Sequence, residues 1–142
     1  MANTYNLDLV QCIVGTLAIS GYGEGGGVEV ESNSPIQEQS VGADGASIYN
    51  RMNDKSLTVT ITLREDSRAY RILAGLMQAQ EAAGTNTPLA FMLLDPLNGD
   101  SVASQYTIFM ERPNLSKAQA AGDRVFVISL PDPVVVYGAL NV

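Results

Sequence analysis

The run Leu57-Thr-Val-Thr-Ile-Thr-Leu63 alternates apolar and hydroxyl residues without a fault. In an extended chain successive side chains point to opposite faces, so Leu57, Val59, Ile61 and Leu63 share one face and Thr58, Thr60 and Thr62 the other. Wound as a helix, the same residues would spread around the cylinder and leave no apolar stripe. The run therefore predicts a strand with one buried face and one polar face.

Other segments repeat the pattern. Val28-Glu-Val-Glu31 places its valines on one face and Glu29 and Glu31 on the other. Residues 4–20 read as a long or bent strand, with Gly15 a kink or bulge. Pro35 interrupts, Ile36–Val41 is extended again, and Asp44-Gly45 marks a hairpin into residues 46–52. Asn53-Asp54 is a further turn. Between Asp66 and Ala83 the period changes: Ala69, Ile72, Leu73, Leu76 and Met77 recur at helical spacing. Asp66 or Ser67 caps the start of that helix and Gly84 follows its end. Gly75 inside it costs about 1 kcal/mol relative to Ala, which points to a close packing contact. Leu89–Leu94 and Ser101–Glu111 are strands joined at Asn98-Gly99, a loop spans Pro113–Gly122, and Arg124–Leu130 is a strand. Pro133–Tyr137 is an edge strand, because its prolines suit no central position. With about eight strands, one helix and no βαβ alternation, the chain reads as mainly β: an antiparallel sandwich or barrel with one helix packed on it. Its 142 residues suit one domain spanning 1–142.

Composition excludes much chemistry. The chain has no His and one Cys, Cys12, so Ser-His-Asp and Cys-His centres, imidazole zinc sites and internal disulfides are ruled out. Cys12 sits in an apolar strand and reads as a core residue. Gly21-x-Gly23-x-x-Gly26 matches a dinucleotide fingerprint, but a strand follows it where a phosphate-binding helix is needed. Asp95–Asp100 lacks the ligand pattern of a calcium loop. Asp54, Glu65 and Asp66 suit a turn, the surface and a helix cap better than paired catalysis. The expectation is no catalytic residue, no cofactor and no metal: not an enzyme. No run of about 20 apolar residues spans a membrane, and Met1–Tyr5 lacks the features of a secretory signal.

Charge is unevenly spread. Residues 1–50 hold Asp8, Glu24, Glu29, Glu31, Glu38 and Asp44 and no Lys or Arg, while all eight basic residues lie later. An acidic surface repels phosphate, so conventional nucleic-acid binding is not expected.

Val41-Gly-Ala-Asp-Gly45, Asn53-Asp-Lys-Ser56 and Thr58–Leu63, in that order and followed by a helix, resemble the small tail tube proteins of long-tailed, particularly contractile-tailed, bacteriophages. The resemblance continues through Arg112-Pro113, Ser116-Lys117 and Arg124–Leu130, over about residues 5–140; Arg64-Glu65-Asp66 departs from the uncharged linker the family would have there. It implies a β-sandwich subunit that forms hexameric rings, stacked into a hollow tube that conducts the genome during ejection. The implied partners are further copies of the chain and, in the tail, sheath, tape measure, baseplate and tail terminator proteins. DNA passes without specific binding and no membrane is involved. The implied location is the virion tail, assembled in the host cytoplasm. Alternatives are a tube-terminating or baseplate-proximal ring protein, or a ligand-binding β-sandwich module.

On this reading the inner sheet comes from Val28–Val41, Ser47–Met52 and Leu57–Leu63. Glu29, Glu31 and Glu38 face the channel, Thr58, Thr60 and Thr62 line it or pack nearby, and Arg51, if it points inward, partly offsets the field. Gly25, Gly26 and Gly27, with Asp44 and Gly45 at the hairpin, are the candidate ring–ring or subunit contacts.

Overall fold

The alternating run becomes a central strand of a four-stranded antiparallel sheet. The computed structural model describes residues 10–19, 27–84, 89–96, 99–115, 117 and 122–138. In chain order the elements are β1 (Gln11–Val14), β2 (Leu17–Ala18), β3 (Val28–Ser32), β4 (Gln37–Val41), β5 (Ser47–Arg51), β6 (Leu57–Arg64), α1 (Arg68–Ala83), β7 (Phe91–Asp95), β8 (Asp100–Ser104), β9 (Ile108–Glu111), β10 (Asp123–Leu130) and β11 (Val134–Val136). One sheet has the order β3-β6-β10-β9, a second β11-β8-β7-β1-β2, and β4-β5 form a hairpin of their own.

β6 and β10 pair over their full length, from Leu57 opposite Leu130 to Arg64 opposite Asp123. Leu57, Val59, Ile61 and Leu63 meet Phe126, Ile128 and Leu130 on the buried side. The second sheet supplies Cys12, Val14, Phe91 and Val102, and α1 supplies Ala69, Leu73 and Met77. Burial pushes the Cys12 thiol up to about 12, as befits a core residue.

Three segments differ from expectation. Residues 11–18 are two antiparallel strands, with Gly15 in the left-handed region at φ 64° between them. A Cβ there would sit 2.7 Å from the Leu89 side chain, so the turn needs glycine on both counts. The stretch 101–111 is split between the two sheets, where Ser104 redirects the chain: its hydroxyl donates to the Tyr106 carbonyl and accepts from the Tyr106 amide. Short reversals of this kind raise the count among the described residues to eleven strands. Gly75 has no atom within 4 Å of a would-be Cβ, so no packing contact explains it.

The helix start is set by Ser67, whose hydroxyl accepts from the Tyr70 amide, while Gly84 closes the other end at φ 67°. Asp66 instead pairs with Arg64 at 3.0 Å in the open. Between them Glu65 turns inward and takes the guanidinium of Arg124 at 2.6 Å. Arg124 is 1% exposed on the core side of β10, and lies 5.7 Å from the centre of the Tyr70 ring. The charged departure at 64–66 thus serves the fold, tying the start of α1 to the sheet.

Two stability outcomes follow. Gly75→Ala should raise stability by about 0.5–1 kcal/mol, read as a higher melting temperature of the isolated subunit. Glu65→Ala should lower it by roughly 3 kcal/mol, because a buried guanidinium loses its counter-charge. Adding Arg124→Met should restore much of that loss in urea denaturation, since a buried ion pair and an apolar replacement are often near equal.

Candidate functional site: the open face of the four-stranded sheet and the free hairpin

The register of the first sheet collects one set of side chains away from the core. Glu29 lies opposite Thr60 and Glu31 opposite Thr58. Across β6, Thr58, Thr60 and Thr62 lie opposite Ser129, Val127 and Val125, and Val127 in turn faces Glu111 on β9. The result is a face of carboxylates, hydroxyls and valines. Arg64 ends that row, cross-strand from Asp123 and ion-paired with Asp66. The Thr58 hydroxyl donates to the Asn33 side-chain carbonyl, anchoring the chain as it leaves β3.

Glu29, Glu31, Thr58, Thr60 and Thr62 are therefore brought together. Glu38 is not. It lies on β4 opposite Asn50, in the separate hairpin, so residues 36–41 and 47–52 do not extend the sheet. Their place beside β6 is taken by β10 and β9. The physical reason sits at the hairpin root, where Pro35 has no amide to continue a ladder. Asn33 and Ser34 are meanwhile bound across to Ser56 and Asp54 at 2.8 and 3.0 Å. Val125, Val127, Ser129 and Glu111 complete the face without having been assigned to it from sequence. The alternation in 124–130 was legible, but nothing local told which sheet it joins.

Gly25 and Gly26 lie outside the described residues. Gly27 extends the β3–β6 ladder, its carbonyl accepting from the Thr62 amide at 3.0 Å. Asp44 and Gly45 form the hairpin tip. Asp44 accepts from the Ala46 amide at 3.1 Å, and Gly45 adopts φ 84°. All ten residues of β4 and β5 are exposed. The hairpin carries Ile36, Val41, Ile48 and Tyr49, each at least 59% exposed. An isolated two-stranded hairpin is marginal in water, and contiguous exposed apolar groups on one are a feature of interaction surfaces.

The chemistry offered is that of a surface. Among the described residues no group of three or more His, Cys, Asp or Glu is placed to hold a metal, and no helix is long and apolar enough to cross a membrane.

Asp54 carries the one clear carboxylate shift at the hairpin root. Hydrogen bonds from the Ser56 hydroxyl, the Ser56 amide and the Ser34 hydroxyl hold its carboxyl below the usual value of 3.8. These bonds favour the ionised form, so their contribution is full above that value and is lost as pH falls through the depressed one. Acidification should therefore loosen the hairpin root, seen as chemical-shift changes at Ser34 and Ser56 that titrate with Asp54. Asp54→Asn should abolish that titration.

The comparisons with known proteins fall in line with this architecture. The sequence profile of the bacteriophage PhiTE tail tube protein family matches residues 3–131. No curated protein matches the sequence. Among solved structures, the anti-feeding prophage tube-terminating cap is similar in fold: TM-score 0.54 at 8% identity, covering 96% of this chain and 95% of that one. A mainly antiparallel β sandwich with one helix, matched by that profile over nearly its whole length, belongs to the bacteriophage PhiTE tail tube protein family.

Proposed function

We propose that the chain, as one domain spanning 1–142, is the repeating subunit of a phage tail tube, with its four-stranded sheet facing the bore. Six copies close a ring, rings stack, and the genome passes through the cylinder during ejection. The observation that carries this reading is the open sheet face, with Glu29, Glu31 and Glu111 among hydroxyls and valines. Its one base, Arg64, is tied to Asp66 at the rim.

Geometry supports it. Four strands per copy and six copies give 24 strands, which at about 4.8 Å spacing span a perimeter of roughly 115 Å. A tilt of about 40° stretches this to roughly 150 Å, a backbone radius near 24 Å, which admits duplex DNA after side chains are subtracted. Strand directions support it too. Four antiparallel strands leave β3 and β9 running oppositely, so a rotated second copy sets its β3 antiparallel to this β9. Closing the ring removes both edges.

The wall works by not holding its cargo. Each Lys or Arg contact to phosphate adds a salt-sensitive attraction, whereas carboxylates add repulsion. The β4–β5 hairpin, with Asp44 and Gly45 at its tip, covers its exposed apolar groups against the adjoining ring, and Gly25, Gly26 and Gly27 are further candidate ring–ring or subunit contacts. Assembly takes place in the host cytoplasm. Sheath, tape measure, baseplate and terminator proteins are the further partners this placement implies.

Electron microscopy of the purified protein at high concentration tests the reading. Hollow filaments are expected; isolated rings would identify a tube-terminating ring protein instead, and persistent monomers would overturn the proposal. In tubes, Glu29→Lys with Glu31→Lys should create DNA retention that weakens steeply with salt. Wild-type tubes that hold DNA as tightly as the variant would refute the repulsive wall.

A further inference from the structure

The two edges of the four-stranded sheet are not alike. On β3, the Gly27 carbonyl and the Asn33 amide bond toward β6, with Thr62 and Ser56. Backbone groups on a strand alternate sides with a period of two, so the amides and carbonyls of Val28, Val30 and Ser32 point away from β6. Among the described residues, nothing takes them. That edge is open.

The β9 edge is partly capped, and not by a strand. Gln80, near the end of α1, donates from Nε2 to the Thr107 carbonyl at 2.8 Å. Its Oε1 accepts from the Phe109 amide at 3.0 Å. These backbone groups lie two residues apart on one side of the chain, where a neighbouring strand would bond. One side-chain amide stands in for that strand. Beside it Glu81 holds the Arg112 guanidinium through two bonds of 2.9 and 3.0 Å, fastening the far end of β9 to the helix.

We propose that β9 is the receiving edge for β3 of a second copy, and that Gln80 guards it until that strand arrives. The inference rests on the tube reading and deepens it, naming the contact that closes the ring. In the free subunit Gln80 satisfies the groups that would otherwise template unwanted strand addition. On closure, backbone groups of the incoming β3 take the Thr107 and Phe109 bonds, and Gln80 turns out. Self-pairing of two β3 edges is discouraged separately. In an antiparallel β3–β3 ribbon the exposed Glu29 and Glu31 would meet their own kind, and like charges directly opposed across strands are destabilising.

Two variants and one variant-free measurement test this. Gln80→Ala removes the guard and should lower the concentration at which rings appear by about fivefold, the equivalent of one net hydrogen bond, in sedimentation velocity. Ser32→Pro deletes one outward amide at the exposed end of β3, a site where an edge strand tolerates proline, and should raise that concentration at least as much. Amide hydrogen exchange follows the bonds directly. In the wild type, Phe109 should be protected in monomer and ring alike, whereas Val28 and Val30 should become protected only in rings. In Gln80→Ala, Phe109 should exchange freely in the monomer and slowly in the ring. An unchanged or raised threshold for a folded Gln80→Ala, or Ser32→Pro assembling like wild type, would overturn the guard. If Gln80→Ala does not fold, the wild-type rings decide: unprotected Val28 and Val30 amides there overturn it. A wild type that assembles this way without β3 protection sinks only this inference, whereas one that never assembles sinks the tube reading with it.

Discussion

The candidate functional face of this molecule depends on the eight-residue pairing of β6 with β10. It is the one long ladder at the centre of its sheet, and it fixes two surfaces at once. Because side chains alternate, the register that buries Leu57, Val59, Ile61 and Leu63 against the core also lays out Thr58, Thr60 and Thr62 on the open face. A slip of one residue would put threonines in the core and leucines on the face. The leucines and isoleucine are wholly or nearly buried, so such a slip would expose apolar surface worth several kcal/mol. The polar face thus takes its register from the apolar one.

The elements legible in the sequence were those whose information is local. The alternation at 57–63, the helical period after Asp66, Ser67 and Gly84 as helix bounds, and Asp44-Gly45 at a hairpin tip each follow from a few adjacent residues. So did the grouping of Glu29 and Glu31 with the threonines, since both segments alternate strictly and pair in register. What was not legible was partnership. Residues 36–52 alternate well enough to be a sheet strand pair, yet Pro35 and the Asn33–Ser34 brace turn them into a hairpin apart. Glu38 went with them. Conversely, Arg124 reads as the start of a strand, and nothing adjacent reveals that its side chain is buried against Glu65 and Tyr70 from 59 and 54 positions earlier. Such a pairing is a property of two distant segments, and a single sequence carries it only implicitly.

Under the proposed assembly, the sheet's edges are what must be kept manageable before copies meet. An open edge is a template for any extended chain. Here the β9 edge is held by a helix side chain and a bidentate ion pair, and the β3 edge is bordered by two carboxylates. The hairpin, by contrast, is exposed along its whole length. Its root is stiffened by hydrogen bonds to Asp54 rather than by core packing. Direction is thus set at the base while the strands and tip stay exposed.

The proposed acidic bore raises the question of whether its wall would repel itself apart. In the proposed ring, the carboxylates of one copy's β3 are separated from those of the next by four strands, roughly 19 Å along the sheet. At physiological salt the screening length is about 8 Å, so repulsion between the β3 pairs of different copies is largely quenched. Glu111 on β9 is the exception, since closure sets it about one strand, roughly 5 Å, from the next copy's β3. Within one copy, Glu29 and Glu31 lie about 7 Å apart along the strand. That is close enough to repel, but the cost is already met when the monomer folds. A phosphate travelling along the bore is in a different position, because it passes within a screening length of one carboxylate pair after another. In the proposed ring the spacing of the β3 pairs therefore limits their mutual repulsion while leaving the cargo facing a regularly repeated negative surface, and only Glu111, at the junction of β9 with the next β3, serves passage at a cost to closure.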